Sequence, residues 1–109
     1  MVKNRSKNTV VAAKITLKSD FGKMSGLMFK KGPEAIVFKT RFGIHTFFLN
    51  FPIDLIILDK NNIVAITKKS VKPNRIFFWN PKYNTVIELP EKSITKSKTE
   101  KGDIIDLAL

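Results

Sequence analysis

Short apolar segments recur along almost the whole chain, and each is bounded by residues that favour turns. Valine, isoleucine, threonine and aromatic residues dominate the segments, as they do in β-strands, while glycine, proline, asparagine and aspartate lie between them. A spacing of about 8–12 residues between turns is typical of an all-β sandwich or barrel. The pattern predicts about seven to eight short strands, at positions 9–17, 34–38, 44–49, 53–58, 63–67, 75–79, 83–89 and 104–107.

The run at 53–58 is apolar at every position except Asp54, which indicates a strand buried on both faces. These features together predict an all-β fold, either a jelly-roll-like sandwich or a partly closed barrel, with one short helix. The helix is expected within 19–29, where a Ser-Asp pair resembles an N-cap and three apolar residues follow at helical spacing. A polar segment at 93–100 is compatible with one helical turn or with a loop.

The length of 109 residues fits a single domain. Residues 1–8 are polar and basic and predict a loose tail, which leaves 9–109 as one all-β domain. No apolar run is long enough for a secretion signal or a membrane span, so we expect a cytoplasmic protein that does not insert into membranes.

Charge is the most extreme property of the composition: 20 lysine and arginine residues against nine acidic ones, a net charge of +11. A positive field of this size attracts phosphate polymers and other acidic partners. A general lysine bias explains the same number, since all but three of the basic residues are lysines. The absence of cysteine excludes disulfides, thiolate zinc sites and cysteine nucleophiles.

The segment 68–79 is the strongest candidate for a binding surface because it combines basic and aromatic residues. In a strand, Phe77 and Trp79 share one face and Phe78 takes the other, so one face faces the core and the other is available to stack an unpaired base. The alternative is that the outer aromatic residue packs under a loop or against another subunit. The predicted binding residues are Lys68, Lys69, Lys72, Arg75, Trp79 and Arg41.

His45 and Asp54 are the candidates for catalysis if the protein is an enzyme, since Asp54 follows nine residues later across an expected hairpin-like turn that would place the two side chains close together. The structural alternative is that His45 bonds a backbone carbonyl and Asp54 caps the turn after Pro52. No nucleophile motif accompanies them, which favours a non-catalytic protein. Phosphate-binding fingerprints and zinc-ligand spacing are absent, so no cofactor and no metal are predicted. A hard-cation site that uses Asp54, Asp59 or Glu88 is the weaker alternative.

Glu88 lies between two apolar residues of a predicted strand. If it faces inward, it needs a partner such as Arg41 or Arg75, because burying a lone carboxylate is costly. Otherwise it is the polar half of an alternating strand.

Several motifs occur in order along the chain, at 25–29, 43–49, 51–59, 64–65, 72–73, 86–90 and 102–103. In this order they resemble the family known as domain of unknown function 192, small proteins of bacteria and archaea. The resemblance covers about residues 15–107. It implies a jelly-roll-like β-fold with a short helix after the first strand, and it implies no activity. Many bacterial members carry a secretion signal and a tryptophan beside the position of His45, whereas Phe47 and Phe48 fill that stretch here.

Three hypotheses about function follow. The first, which the charge and the 68–79 segment favour, is a non-catalytic β-scaffold that binds an acidic partner such as a single-stranded nucleic acid. The second is a small-ligand-binding or hydrolytic protein with a cleft around His45 and Asp54. The third is a homo-oligomeric interaction protein with an apolar patch that includes Phe42, Phe51 or Trp79.

Overall fold

The computed structural model describes residues 1–18, 34–39, 43–45 and 51–107. The helix expected within 19–29 lies outside these residues. The described residues form ten strands and one helix: β1 (Val2–Asn4), β2 (Thr9–Ala12), β3 (Lys14–Lys18), β4 (Glu34–Lys39), β5 (Gly43–His45), β6 (Ile53–Leu58), β7 (Val64–Val71), β8 (Ile76–Phe78), β9 (Thr85–Pro90), α1 (Ser93–Ser97) and β10 (Ile105–Leu107).

Three sheets build an all-β sandwich, which confirms the predicted fold class. The largest sheet has five strands in the order β3-β4-β9-β6-β7, with β3 and β4 parallel and the other neighbours antiparallel. A three-stranded sheet has the order β10-β1-β2, and β5 pairs with β8 in a two-stranded ribbon. Among the described strands, no sheet closes into a barrel.

Strand β6 lies between β9 and β7 in the five-stranded sheet, and all six of its residues are buried. Because side chains alternate along a strand, Ile53, Leu55 and Ile57 point to one side of the five-stranded sheet while Ile56 and Leu58 point to the other. The prediction of a strand buried on both faces is therefore confirmed, since apolar layers cover both faces of β6.

One apolar layer, the helix-side cluster, lies between the five-stranded sheet, the three-stranded sheet and α1. Each fully buried valine, leucine or isoleucine side chain in it stabilises the fold by about 1.5–3 kcal/mol. Its buried members are Val2, Val11, Ala12, Ala35, Val37, Ile56, Leu58, Val64, Ile87, Leu89, Ile94 and Ile105.

The other apolar layer, the ribbon-side cluster, lies between the five-stranded sheet and the β5–β8 ribbon. Phe77 and Ile44 pair across the ribbon and both face this layer. Its buried members are Ile36, Ile44, Ile53, Leu55, Ile57, Trp79 and Val86.

The prediction that residues 1–8 form a loose tail is wrong. Strand β1 is the middle strand of the three-stranded sheet, and Val2 and Asn4 are fully buried. The sequence did not indicate this strand, because Asn4 is polar although it faces the core, and a polar residue at such a position is typical of a loop. The expected strand at 9–17 is divided into β2 and β3, which belong to different sheets.

Helix α1 occupies the first half of the polar segment at 93–100, for which a helical turn was one of two predictions. Only Ile94 and Ser97 of this helix are buried. No helix in the described parts of the chain combines the length and the apolar character that a membrane span requires.

Candidate functional site

Basic side chains gather where β7 ends and where the connection leads to β8. Lys68, Lys72 and Arg75 are all exposed, as is Lys69. Lys68 pairs with Leu55, so it lies on the ribbon side of the five-stranded sheet, and its Nζ is 5.2 Å from the centre of the Phe77 ring. Alternation directs Lys69 to the opposite side of β7. The structure thus brings together Lys68 and the connection to β8, and it separates Lys69 from them.

The aromatic residues of 77–79 divide as alternation predicts, but the outer residue is Phe78. Phe77 and Trp79 face the ribbon-side cluster with ring centres 5.8 Å apart, and Trp79 is only 8% exposed. The indole Nε1–H of Trp79 donates a hydrogen bond of 2.6 Å to the carbonyl oxygen of Tyr83. The assignment of Trp79 to the binding surface is therefore corrected. The strand pattern could not fix which face is the outer one, because both faces carry aromatic residues.

The outer face of the β5–β8 ribbon carries two large apolar side chains. Ile76 is 56% exposed and Phe78 is 70% exposed. Sequence reasoning did not name either as a binding residue. The sequence carried no signal that would have singled them out, because aromatic residues occupy both faces of this segment. We call Lys68, Lys72, Arg75, Ile76 and Phe78 the ribbon surface.

Gly43 shapes this surface from the neighbouring strand. It pairs with Phe78, and its φ of 149° is one that other residues rarely adopt. A Cβ at this position would lie 2.4 Å from the carbonyl oxygen of Phe77 and 2.9 Å from Cδ1 of the Phe78 ring. Glycine therefore lets the ring of Phe78 lie directly against the backbone of β5.

Asp54 has a structural role, but its hydrogen-bond partners do not belong to the turn after Pro52 that it was predicted to cap. Its Oδ1 accepts a hydrogen bond of 3.0 Å from the backbone N–H of Ser70, and its Oδ2 accepts one of 2.9 Å from the backbone N–H of Ile94. The carboxylate is fully buried and lies on the helix side of the sheet, where its cross-strand partner Leu89 also packs.

His45 lies in a different layer from Asp54. Its backbone is in the β5–β8 ribbon, at the register position opposite Ile76. The five-stranded sheet separates this ribbon from the side on which Asp54 lies. The structure does not bring the backbone of His45 and the carboxylate of Asp54 together, because Asp54 faces the side of the sheet away from the ribbon.

Glu88 faces inward, contrary to the surface position that alternation with polar residues suggested. It is 2% exposed and pairs with Ile36 on one side and Leu55 on the other, both in the ribbon-side cluster. Burial raises the pKa of Glu88 from an ordinary 4.5 to about 8, and no cation among the described residues counteracts this effect. The carboxyl group is therefore mostly protonated at neutral pH.

Two other surface depressions lie away from the ribbon surface. A cleft of about 340 Å³ is lined by Asp59, Lys60, Asn61, Lys82 and Tyr83. In it, Asp59 already accepts hydrogen bonds from the backbone N–H groups of Asn61 and Ile63. A second cleft, of about 250 Å³, lies beside β1 and contains the ion pair of Arg5 with Asp106. Within the described ranges, no three His, Asp or Glu side chains come together as metal ligands do. Arg41 and Phe42 lie outside the described residues.

Two solved structures share the architecture. A protein from Sinorhizobium meliloti 1021, described as a "putative transcription regulator" (R01717), superposes with a TM-score of 0.68 at 14% identity and covers 84% of this chain and 79% of its own. A protein of unknown function from Novosphingobium aromaticivorans DSM 12444 gives a TM-score of 0.70 at 16% identity, over 84% of this chain and 73% of its own. At these identities the likeness concerns the fold alone.

Relationships in sequence are closer. UPF0127 protein PH1112 from Pyrococcus horikoshii is 37% identical to this chain over 113 residues, which span 96% of each protein. The family model of domain of unknown function 192 (DUF192), with the description "Uncharacterized ACR, COG1430", matches residues 2–107. The chain therefore belongs to the DUF192 family of uncharacterised proteins, as its motifs indicated.

Proposed function

We propose that this protein is a non-catalytic, cytoplasmic binding module whose ribbon surface binds single-stranded nucleic acid. One observation carries the proposal: the exposed Lys68 of β7 lies over Phe77 of β8, and the exposed Lys72 and Arg75 lie in the connection that leads into the exposed apolar residues of that strand. A single-stranded nucleic acid fits such a surface because its phosphates suit the cations and its unpaired bases suit the apolar face.

The charge of the chain supports a phosphate polymer as the partner. With a net charge of +11, the protein attracts polyanions at long range and holds them less firmly as salt increases. For single strands, the logarithm of the affinity falls with the logarithm of salt concentration by about 0.7 for each phosphate neutralised. The number of phosphates engaged is thus measurable.

The competing small-ligand hypothesis gains no support from the geometry. It needs the carboxylate of Asp54 beside His45, but both oxygens of Asp54 accept hydrogen bonds from backbone N–H groups on the other side of the sheet. A binding module without a catalytic centre is the function that the described residues favour.

The test is fluorescence anisotropy of a labelled single-stranded oligonucleotide across a salt series, with a duplex and heparin as comparison ligands. The double variant Lys68→Gln/Lys72→Gln should bind more weakly and lower the salt slope by about 0.7 per lysine removed. Its matched control is Lys96→Gln/Lys101→Gln, which removes the same charge from α1 and the turn that follows it, on the other side of the five-stranded sheet.

Three outcomes contradict the proposal. Wild-type protein that fails to bind the single strand at low salt refutes it directly. Equal losses in the two double variants mean that net charge alone governs binding, and equal affinity for heparin removes the case for nucleic acid. Fluorescence of Trp79 serves as a control for folding in every variant, since this buried residue reports on the core.

A further inference from the structure

We infer that the ring of Phe78 stacks an unpaired base of the bound strand, so that the outer face of the β5–β8 ribbon contacts bases while the neighbouring cations hold phosphates. This inference rests on the proposed function and deepens it. It assigns the base contact to a residue that neither the sequence pattern nor the family relationship singles out.

The exposure of Phe78 is the first observation. At 70% it is the most exposed large apolar residue among those the structure describes. Its neighbour Ile76, two positions along the same strand face, is 56% exposed. Together they form an apolar patch on a surface whose other members are basic.

The strand segment that carries the ring is also anchored before any ligand arrives. Cδ1 of the ring lies against Gly43, where even a Cβ would be only 2.9 Å away. Residues on both sides of Phe78 are anchored in the ribbon-side cluster: Phe77 packs there, and Trp79 adds its hydrogen bond to Tyr83. A ring on an anchored strand segment costs little backbone conformational entropy when a base stacks on it.

The charge around the ring suits a nucleic acid strand. Lys68 lies over the inward neighbour Phe77, on the β7 side of the ribbon, and the connection with Lys72 and Arg75 leads directly into β8. A nucleic acid strand that crosses the ribbon can place its phosphates along β7 and its bases over Phe78. Base–aromatic stacking of this kind tolerates any sequence, because every base has a π-face.

Phe78 also has a purely structural explanation. An aromatic ring placed across from a glycine in a neighbouring strand covers the gap that the glycine leaves and stabilises the pair. That role needs apolar bulk, whereas stacking needs an aromatic face. Phe78→Leu keeps the bulk and removes the aromatic face, and Phe78→Trp enlarges it.

The experiment compares two probes, a single-stranded oligothymidylate and an abasic strand of the same length, at one low salt concentration. We expect the wild-type protein to bind the strand with bases about 5- to 150-fold more tightly than the abasic strand, as stacking of one base implies. In Phe78→Leu the ratio of the two affinities should fall to about one, while the affinity for the abasic strand stays unchanged. In Phe78→Trp the ratio should stay the same or increase. Val10→Ala, on β2 in the three-stranded sheet and 52% exposed in the wild-type protein, is the matched control and should behave as wild type.

The results separate this inference from the proposed function. If wild type binds both strands equally and Phe78→Leu changes nothing, the proposed function stands and the stacking role is wrong. If Phe78→Leu weakens both strands by the same factor, Phe78 is structural and the inference is again wrong. If wild type binds neither strand, both proposals are overturned.

Discussion

The buried carboxyl group of Glu88 is the most unusual single residue in the sandwich. It lies in a row across the sheet with Ile36, Leu55 and Lys68, and of these only Lys68 is exposed. A carboxyl group with apolar neighbours on both sides stays neutral in the folded protein, whereas in the unfolded chain water allows it to ionise near its ordinary pKa.

This difference makes stability depend on pH in a defined direction. Because the folded state binds one more proton than the unfolded state between about pH 4.5 and pH 8, the contribution of Glu88 is fully present below pH 4.5 and is lost as pH rises to about 8. The loss over this window is roughly 4–5 kcal/mol. The side chain introduced by Glu88→Gln does not ionise, so this variant should not show the loss of stability.

The measurement is urea unfolding of wild type and Glu88→Gln at several pH values from 4 to 9. We expect the free energy of unfolding of the variant, relative to wild type, to rise steadily from about pH 4.5 and to level off above about pH 8. Titrations of all other groups are common to both proteins and cancel in the difference. A difference that is constant with pH would show that Glu88 titrates alike in the folded and unfolded states.

Asp54 connects three elements, since from β6 it holds the bulged end of β7 and the first turn of α1. Ser70 has a positive φ of 53°, and the N–H that its bulge turns inward donates to Asp54. The side chain of Lys92, the N-cap residue of α1, provides no cap, so Asp54 takes that role from another strand through the N–H of Ile94.

Asp54→Asn should therefore destabilise the fold without removing a binding residue. The amide can accept only one of the two hydrogen bonds and presents an N–H₂ group to the other donor, so we expect a loss of about 2–4 kcal/mol in the free energy of unfolding. Asp106→Asn is the matched control on an exposed ion pair and should cost less than about 1 kcal/mol. Chemical denaturation checks both, and a stable Asp54→Asn protein would return Asp54 to the list of functional candidates.

The sequence pattern predicts a strand correctly where one periodicity dominates. It fails to predict which face of a strand is buried where the same pattern fits both orientations. The run of β6, apolar at every position except Asp54, correctly predicted a strand buried on both faces. In 76–79, however, alternation gave the correct division of the aromatic residues but no means to orient it, and only the packing of Trp79 against Tyr83 shows which face is inside. Glu88 was ambiguous for the same reason, because its two apolar neighbours fit either orientation.

The homo-oligomer hypothesis loses part of its basis at the level of these elements. Of the residues named for an apolar patch, Trp79 is buried and Phe51 is half-buried. Strand β7 is an edge of the five-stranded sheet among the described strands, and its pairing with β6 is interrupted by two irregularities in register. Bulges and lysines on an edge strand discourage pairing with another copy.

The two ends of the chain are joined in one buried polar network, which sequence reasoning could not anticipate because its members lie almost the whole length of the chain apart. Asn4 donates from Nδ2 to Oγ1 of Thr99 at 3.0 Å and to Oδ2 of Asp103 at 2.8 Å. Lys7 donates from Nζ to both oxygens of Asp103 at 2.9 Å. Burial alone raises the pKa of Asp103, but the hydrogen bonds from Asn4, Lys7 and the N–H of Glu100 outweigh it and hold that pKa below its usual value.

The network predicts that the N-terminal strand is essential for the stability of the complete sandwich. Asn4→Ala removes two donors from the buried Thr99 and Asp103 and the acceptor of the Lys7 N–H, so we expect a loss of about 2–4 kcal/mol in the free energy of unfolding. Asn61→Ala is the matched control, because that exposed asparagine lies in the turn between β6 and β7. Native-state hydrogen exchange gives the sharper test: we expect the amides of both β1 and β6 to exchange only with global unfolding, since each of these strands pairs on both sides. Exchange of β1 at the rate of a frayed terminus, together with a neutral Asn4→Ala, would mean that residues 1–8 are a tail after all.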